Sequence, residues 1–450
     1  MSPRIARLAK ENLVSQLRSG PPSECEDKLC SALIPILGRN VHDLSGIVAE
    51  LNKTDVRSET DSSWTAESFQ AVLRKYGTGP ERKPAPPITD PNGLRLEASQ
   101  PSAGCATTES CDQIVRRLVA TGIRNKWYCV APSRLVADDP VAVTRLGEKL
   151  VLWRDGDGHV HVQRDSCPHR GAPLSLGSVQ DGLLTCAYHG VQVDGGGRVV
   201  RVPAMPACHL SGQHLVKTYP CIEHYQGIFA YFGDELHPEP PQFEFPVEFV
   251  SDDWTGFVYT KTWRGNYQYI YDNLCDVMHA PFLHAQSFAL AYGSKSDEIQ
   301  VTPTPTGFEV ERKGQKDLNF DWMEYGDTGG PWIRVGVFYP PAGGPGGLLR
   351  IMCFMTPIDE SSTQIHFWRM RKVQGWQADL WRFLFKTRLE ALAEEVLEQD
   401  RLMVEALPPF PAPENLYQHD VGVSRIRRIF RQAAEAQARD LSETGAVAAQ

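Results

Sequence analysis

Residues 167–190, CPHRGAPLSLGSVQDGLLTCAYHG, place two cysteine–histidine pairs in two loops that each contain glycine. Cys167 and His169 form the first pair, and Cys186 and His189 form the second after 16 intervening residues. Two thiolates and two imidazoles suit either a tetrahedral zinc ion or an iron–sulfur cluster. The neighbouring glycines favour the cluster, because their backbone amides can approach the cluster sulfides. The stretch therefore predicts a metal centre of one of these two kinds.

The whole motif closely resembles the Rieske motif, in which two cysteines hold one iron of a [2Fe-2S] cluster and two histidines hold the other. The resemblance implies that all four side chains named above ligate such a cluster. The chain departs from the family at Ala187, where proline is usual, and at Val191, where tryptophan is usual. Both departures concern local packing and leave the four ligands in place.

Short β-rich runs alternate with glycine turns from Trp127 to about residue 233, which is typical of a small antiparallel β domain. Prolines between His237 and Pro246 mark a boundary, so we assign residues 122–235 to the Rieske domain. A further group of thiols and imidazoles has irregular spacing, and we interpret it as structural and not as a second metal site. Its members are Cys208, His209, His214, Cys221 and His224.

A second set of ligands lies in residues 266–284, NYQYIYDNLCDVMHAPFLH. His279 and His284 are five apart, which on an ideal helix turns them about 140° away from each other. Pro281 lies between them, so the helix should break or restart there and let both imidazoles point inward. The stretch resembles the mononuclear iron motif of the Rieske non-heme iron oxygenases, closest to the vanillate O-demethylase and dicamba monooxygenase group.

The resemblance implies an Fe(II) held by two histidines and one carboxylate. The downstream stretch EALAEEVLEQDRLMVEAL, residues 390–407, offers several carboxylates: Glu394, Glu395, Glu398, Asp400 and Glu405. In the family the ligand is an aspartate followed five residues later by a glutamate, which matches Asp400. Glu398 is the alternative. A carboxylate-rich helix is otherwise typical of a solvated face.

Predicted strands near residues 257–262, 348–355 and 364–370 flank predicted helices near 266–284 and 376–406. This pattern indicates an α+β domain over residues 236–440. The family resemblance, which covers about residues 122–440, implies that this domain has the helix-grip (StAR-like) fold. The fold class is therefore α+β.

In the resembled family, the cluster of one subunit serves the iron of the next around a head-to-tail trimer. The resemblance implies that Asp276 bridges cluster ligand His189 to iron ligand His279 across that interface, and that Asn273 belongs to the catalytic site with Asp276. Simple helix capping by Asp276 is the alternative.

Residues 1–77 have helical periodicity, and acidic and basic residues are equally frequent there. The stretch LNKTDVRSETDSSWTAESFQAVL, residues 51–73, resembles a small helical segment of large serine recombinases. Because balanced charge is unsuited to phosphate binding, we favour a helical extension that serves packing or oligomerisation. Residues 78–121 are rich in Pro, Gly and Ser and are assigned to a linker.

The 450 residues include 55 acidic and 46 basic side chains, giving a net charge of −9, which makes nucleic acid an unlikely partner. No apolar run is long enough to cross a membrane. The 11 cysteines are an odd number and the N-terminus is charged, so we expect reduced thiols in a cytoplasmic protein.

The sequence contains neither a GxGxxG fingerprint nor a plant-type ferredoxin cysteine run, so NAD(P)H electrons should arrive through a separate reductase, a ferredoxin, or both. A set of arginines near the cluster loops forms either a dock for that partner or scattered solubilising charge: Arg164, Arg170, Arg198 and Arg201.

These patterns predict a terminal oxygenase component that activates O2 to hydroxylate or O-demethylate an aromatic or alicyclic substrate. The alternatives are a cis-dihydroxylating dioxygenase, a Rieske electron carrier and a DNA-binding regulator with a redox sensor. Iron content separates oxygenase from carrier, because the oxygenase needs a mononuclear iron besides the cluster.

Overall fold

The computed structural model describes residues 16–18, 20–58, 60–77, 110–234, 236–287, 290, 296–315 and 322–443. The helices are α1 (Glu24–Gly38), α2 (Leu44–Leu51), α3 (Ala66–Gly77), α4 (Cys111–Thr121), α5 (Val247–Val250), α6 (Tyr267–Cys275), α7 (Ala280–Leu283), α8 (Gly375–Leu384), α9 (Glu390–Val404) and α10 (Val421–Glu443). A π-helical turn, Phe385–Leu389, joins α8 to α9. No helix in these ranges is both long and apolar enough to span a bilayer.

The strands are β1 (Lys126–Pro132), β2 (Val141–Arg145), β3 (Glu148–Arg154), β4 (Val160–Arg164), β5 (Ser178–Gln180), β6 (Leu183–Thr185), β7 (Gln192–Val193), β8 (Val199–Arg201), β9 (Thr218–Tyr219), β10 (Cys221–His224), β11 (Gly227–Phe232), β12 (Trp254–Trp263), β13 (Ile299–Pro303), β14 (Gly307–Arg312), β15 (Trp322–Asp327), β16 (Pro331–Val337), β17 (Leu349–Asp359) and β18 (Ser362–Lys372).

Strands β1 to β11 form three small antiparallel sheets with orders β1-β11-β10, β2-β3-β4-β9 and β5-β6-β7-β8. The cysteine–histidine loops connect β4 to β5 and β6 to β7, so the third sheet carries both loops. Val151 and Trp153 of β3 pack beneath this sheet in one apolar core with the two cysteines. The predicted small antiparallel β domain is confirmed.

The rest of the chain is built on a seven-stranded antiparallel sheet with the order β12-β18-β17-β16-β15-β14-β13. One face packs against α6, α9 and α10 in a large apolar core. The other face meets the Rieske domain through aromatic side chains, where Phe354 and Trp368 contact Phe229. An antiparallel sheet that packs helices on one face confirms the α+β prediction.

The N-terminal helices α1 to α3 belong to the core of the sheet domain. Leu33 and Leu37 of α1 and Phe69 of α3 are fully buried in that core, and α3 lies against α8. Gln16 precedes these helices and pairs with the edge strand β12. The side-chain Nε2 of Gln16 donates to the Thr260 carbonyl at 2.6 Å, and its Oε1 accepts from the Thr260 backbone amide at 3.0 Å. The predicted helical extension is thus a packed layer of the fold.

Residues 111–121, assigned above to the linker, form helix α4 instead. Ser110 and Gln113 make a capping box at its start, and Ile114 and Leu118 are buried where α4 packs against α10. Buried apolar contact outweighs the polar, turn-rich composition of the preceding sequence. Residues 78–109 lie outside the described residues.

Candidate metal centres

The first cysteine–histidine loop is a tight turn closed by two backbone hydrogen bonds. The Cys167 amide donates to the Ala172 carbonyl at 2.8 Å, and the Gly171 amide donates to the Cys167 carbonyl at 2.8 Å. Gly171 has φ of +70°, a conformation that glycine adopts without strain. The turn leaves His169 exposed and holds the thiol of Cys167 inside.

The second loop has the same construction. The Cys186 amide donates to the Val191 carbonyl at 2.8 Å, the Gly190 amide donates to the Cys186 carbonyl at 2.9 Å, and Gly190 also has φ of +70°. Val191 is 1% exposed and belongs to the apolar core below the loops. The departure from the family's usual tryptophan is therefore accommodated as a buried aliphatic side chain.

The two loops bring their four donors together. Cys167 and Cys186 are free thiols with 3% and 2% exposure, and the rings of His169 and His189 face each other with centroids 4.7 Å apart. Burial raises the pKa of the Cys167 thiol to about 11, so the thiolate requires a bound metal to stabilise its charge. Two inner sulfur donors and two outer imidazoles fit a Rieske cluster.

The second site is formed by three side chains from two separate parts of the chain. His279 and His284 flank the short helix α7, whose first turn contains Pro281, as the sequence predicts for a helix that restarts there. Their Nε2 atoms are 3.2 Å apart. Asp400 of α9 places Oδ1 3.4 Å from Nε2 of His279 and 3.1 Å from Nε2 of His284.

This donor set is the one expected for Fe(II). The three ligand atoms converge within 4.8 Å of one another, and two imidazoles with one carboxylate leave positions open on the metal. Burial by itself would raise the pKa of the Asp400 carboxyl, because it disfavours the charged form. The opposing effect of His284 and His279 is larger and holds this pKa far below its ordinary value. The anionic carboxylate is therefore available to a divalent cation.

The alternative ligand, Glu398, is committed elsewhere. Its carboxylate forms an ion pair with Lys261 and accepts two hydrogen bonds from Arg401, at 2.9 and 2.7 Å. Both partners lie away from the two histidines. Asp400 is on the side of α9 that faces these histidines. The geometry brings Asp400, and not Glu398, to the iron position.

Neighbouring side chains fix the orientation of the ligands. Nδ1 of His284 lies 2.8 Å from Oε1 of Gln399, so Nδ1 carries the proton and Nε2 is left for a metal. Asn273 donates from Nδ2 to Oδ1 of Asp400 at 3.2 Å. Asn273, which is predicted to belong to the catalytic site, thus contacts the carboxylate that faces the two histidines. Gln399 was not identified, since a glutamine in a charged helix carries no signal of this role.

Comparison with known proteins agrees with both centres. The Rieske [2Fe-2S] domain family matches residues 126–220, and the vanillate O-demethylase oxygenase C-terminal domain family matches residues 263–436. The chain belongs to the Rieske oxygenase family. This Rieske oxygenase is also similar in sequence to individual relatives, and its fold is similar to that of solved structures.

The vanillate O-demethylase oxygenase subunit of Pseudomonas sp. (strain HR199 / DSM 7063) is 34% identical over 188 residues, which cover 41% of this chain and 50% of the relative. The dicamba O-demethylase oxygenase component of Stenotrophomonas maltophilia is 34% identical over 167 residues, covering 36% of this chain and 48% of the relative. The chain spans about half the length of the curated relatives that it matches.

Two solved structures have a similar fold. Dicamba monooxygenase bound to dicamba aligns with a TM-score of 0.55 and 23% identity over 70% of this chain and 98% of that one. The Pseudomonas putida CBB5 NdmA QL mutant with caffeine aligns with a TM-score of 0.59 and 22% identity over 72% of this chain and 93% of that one. These likenesses concern the fold alone.

A third family, the recombinase-like helix-turn-helix domain, matches residues 7–78 of this Rieske oxygenase. The resemblance drawn from residues 51–73 is therefore confirmed. The apolar faces of the helices within this range are buried against the oxygenase domain, which supports the packing interpretation.

Asp276 is predicted to bridge the two centres, but within one chain it makes hydrogen bonds only with nearby residues among those described. Its Oδ1 accepts a hydrogen bond from the Met278 amide at 2.9 Å, and its backbone carbonyl contacts Nδ1 of His279. Among the described residues of one chain, no hydrogen bond joins Asp276 to His189. Asp276 is also the C-cap residue of α6, so the capping alternative is present. The bridge between subunits stays a prediction.

Two members of the further group of thiols and imidazoles make ordinary contacts with backbone carbonyls. Cys221 donates to the Val160 carbonyl at 3.2 Å, and His214 contacts the Gly196 carbonyl at 3.2 Å. Neither belongs to a group of metal donors among the residues that the structure describes. Of the four arginines near the cluster loops, Arg170 lies over the ring of Tyr188.

Proposed function

We propose that this Rieske oxygenase chain is a terminal oxygenase component that uses O2 to hydroxylate or O-demethylate a small, largely apolar aromatic or alicyclic substrate. The observation that carries the proposal is the convergence of His279, His284 and Asp400 in a chain that also holds a complete Rieske donor set. The relatives named as O-demethylase oxygenases support demethylation as the reaction.

The chemistry follows from what the two donor sets would hold. An Fe(II) held by the triad would offer open positions for O2, and a Rieske cluster held by the two cysteine–histidine pairs would supply electrons one at a time. Asp400 contributes the negative charge of the site, because its pKa lies far below the ordinary value. Gln399 keeps the proton of His284 on Nδ1, and Asn273 orients the carboxylate of Asp400.

The electron-carrier alternative explains less of the molecule. A carrier requires the cluster domain only, whereas this chain devotes a seven-stranded sheet and a second set of ligands to another centre. Cis-dihydroxylation uses the same two centres, so its separation from monooxygenation rests on the product.

We infer further that the subunits assemble head to tail as a homotrimer, so that one subunit's cluster meets the next subunit's iron. Large apolar side chains are exposed at both sites: Tyr188, beside His189, is 59% exposed, and Phe282, between the iron histidines, is 50% exposed. Two different surfaces joined head to tail form a ring when the rotation between subunits closes. Asp276 is the proposed bridge.

We also propose that electrons arrive from a separate reductase, ferredoxin, or both, in the cytoplasm. The side chain of Arg170 is exposed at the cluster loops and lies 5.9 Å from the ring centroid of Tyr188. It offers a positive charge to an acidic electron donor.

The decisive experiment is a metal count combined with turnover. Purified protein should contain acid-labile sulfide, two cluster irons and one further iron per chain. His284→Ala should lose the further iron and all turnover while the Rieske spectrum survives. His209→Ala, which changes an exposed histidine outside both sites, should keep all three irons. Zinc without sulfide in the wild-type protein would overturn the proposal.

Turnover is measured as oxygen uptake and product mass with a reductase and a panel of methoxylated and alkylated benzoates and their alicyclic analogues. Loss of a methyl group or gain of one oxygen supports monooxygenation. Gain of two hydroxyl groups on the ring identifies the dioxygenase alternative. A protein with all three irons and no oxygen uptake on any aromatic or alicyclic compound in the panel contradicts the proposed substrate class.

A further inference from the structure

A cavity of about 560 Å³ lies where the Rieske domain meets the edge of the seven-stranded sheet. This volume is in the range of small-molecule sites. The polar side chains that line it come from the N-terminal segment, the β1–β2 region and strands β12 and β18: Gln16, Arg134, Arg145, Thr260, Thr262 and Gln364.

The cavity is separate from the iron site because it lies on the other face of β12. Side chains alternate along a strand, and Tyr259 packs in the core that the helices share with the sheet. Lys261 reaches the rim of the cavity, but its ammonium is paired with Glu398 of α9. Thr260 and Thr262 point the opposite way from Tyr259, toward the Rieske domain.

Arg145 is a buried cation that has no counterion among the described residues. It is 5% exposed, and its guanidinium donates to the carbonyls of Val130 at 2.9 Å and Thr144 at 2.6 Å. Within the described ranges, no carboxylate lies at ion-pair distance from it. Two carbonyl partners satisfy part of its five N–H donors and leave its charge uncompensated, which is costly for a buried ion.

Arg134 adds a second positive charge at the rim. It donates to the Val258 carbonyl at 3.2 Å and to Oε1 of Gln16 at 3.1 Å. In the part of the chain that the structure describes, Arg134 likewise has no carboxylate at ion-pair distance, and the nearest negative charge that acts on it is the carboxylate of Glu390, which accepts the Gln16 backbone amide. The two guanidiniums therefore face one cavity, and the hydrogen-bond partners that the described residues offer them there are neutral.

His366 shows that the wall behind the cavity is also without negative charge. It lies on β18 directly opposite Thr260 of β12, two residues from Gln364 and on the same face. Its ring is fully buried, and neither nitrogen has a hydrogen-bond partner among the residues with a described position. Burial, Arg145 and Arg134 together hold the pKa of His366 well below its usual range, so the ring stays neutral beside the two arginines.

The polar floor of the cavity is already ordered. Gln364 donates from Nε2 to Oγ1 of Thr260 at 2.6 Å and accepts from Oγ1 of Thr262 at 3.1 Å. The hydroxyl of Thr260, which accepts this bond, retains its own proton for another acceptor. A ligand with acceptor oxygens would meet this donor next to the arginines.

We propose that this cavity binds a small oxyanion, a carboxylate or a phosphate, through Arg134 and Arg145, with the hydroxyl of Thr260 as a further donor. Planar guanidiniums bind both kinds of oxyanion by paired charge-assisted hydrogen bonds. The anion supplies the counterion that the buried Arg145 lacks. Because Gln16 bonds both Arg134 and Thr260, the bound anion also shares its ligands with the N-terminal segment.

The test is isothermal titration calorimetry on the full-length, metal-loaded protein at constant ionic strength set with potassium chloride. Inorganic phosphate and benzoate are the two probes. We expect saturable binding of at least one. Binding of phosphate alone identifies a phosphate site, binding of benzoate alone a carboxylate site, and binding of both the shared chemistry.

Two arginine variants locate the site. Arg134→Gln, at an exposed position, should weaken binding by at least tenfold, as should Arg145→Lys, which keeps the buried charge but loses the planar donor pair. Arg116→Gln removes the same charge from an exposed helical position and should bind like the wild type. The Rieske spectrum of each variant reports correct folding.

Three outcomes overturn the proposal. The first is that neither phosphate nor benzoate shows saturable binding to the wild-type protein. The second is that Arg134→Gln binds the anion as tightly as the wild type. The third is that His284→Ala abolishes anion binding while Arg134→Gln retains it. The last outcome would place the anion on the iron.

Discussion

Replacing Gln399 by leucine tests how the ring of His284 is held. The two side chains are 1% exposed, and the 2.8 Å contact between His284 Nδ1 and Gln399 Oε1 is what fixes the proton on Nδ1. Leucine has a similar size but accepts no hydrogen bond. The substitution therefore leaves a buried N–H without a partner and lets the ring adopt the tautomer that presents a protonated Nε2 to the metal.

The expected magnitude follows from two independent estimates. A buried donor without a partner costs about 1–3 kcal/mol. Loss of the hydrogen-bond partner of a metal-bound histidine lowers metal affinity about 10- to 100-fold, which equals about 1.4–2.8 kcal/mol. We therefore expect Gln399→Leu to bind Fe(II) about 10- to 100-fold more weakly than the wild type.

The assay is competition for Fe(II) with a chelator of known affinity. The visible spectrum of the Rieske cluster, which lies in the other domain, serves as an internal measure of intact protein. Gln399→Glu is the matched control, because it keeps an acceptor oxygen for Nδ1 and should retain iron. The reasoning is refuted if Gln399→Leu binds Fe(II) within twofold of the wild type, or if Gln399→Glu loses as much affinity as Gln399→Leu.

Three further predictions concern other parts of the molecule. Cys186→Ser should abolish the Rieske spectrum and the labile sulfide; a surviving rhombic EPR signal of the reduced cluster would contradict the assignment. Asp276→Asn should keep both metals yet oxidise its cluster slowly in a single turnover with O2 and substrate, and a normal rate would exclude the bridge. Burial disfavours the charge of Glu148, but Arg124 and Lys217 outweigh it and lower its pKa to about 2 from 4.5. The ionised Glu148 should therefore add up to about 3 kcal/mol to the free energy of unfolding. This contribution should be complete above pH 4.5 and disappear toward pH 2. In urea unfolding, the free energies of the wild type and of Glu148→Gln should therefore converge as the pH falls over that range.

The cluster loops are predictable from sequence because each is a local structure. The turn at Gly171 is closed by hydrogen bonds that span five residues or fewer, so the residues that fix the geometry are also the residues of the motif. The iron histidines were predictable for the same reason, with Pro281 in the first turn of the helix between them.

The third ligand depends on a contact between distant parts of the chain. Periodicity places both Glu398 and Asp400 on helix α9, and the choice between them depends on which face of that helix meets α6. The ion pair between Glu398 and Lys261 turns Glu398 away from the histidines. These two residues are 137 positions apart in the sequence. Family resemblance pointed to Asp400, the carboxylate that the structure places beside the two histidines, where periodicity did not choose between the two acids.

Helix α4 shows a different limit. Its start signal, Ser110 followed by Gln113, is present in the sequence and forms a capping box. The proline-rich stretch before it obscured that signal. Only the burial of Ile114 and Leu118 against α10 makes the short helix stable, and the sequence does not state which surface covers them.

The pairing of Gln16 with strand β12 has a consequence for how the protein behaves at high concentration. An edge strand presents unpaired N–H and C=O groups, which invite the edge of a second molecule and so lead to aggregation. The side-chain amide of Gln16 offers the same donor and acceptor as a peptide group and occupies the rung at Thr260. A shortened protein that begins after residue 18 would expose that rung, and we expect it to remain folded but to form soluble aggregates that light scattering detects and that restoring residues 1–18 removes.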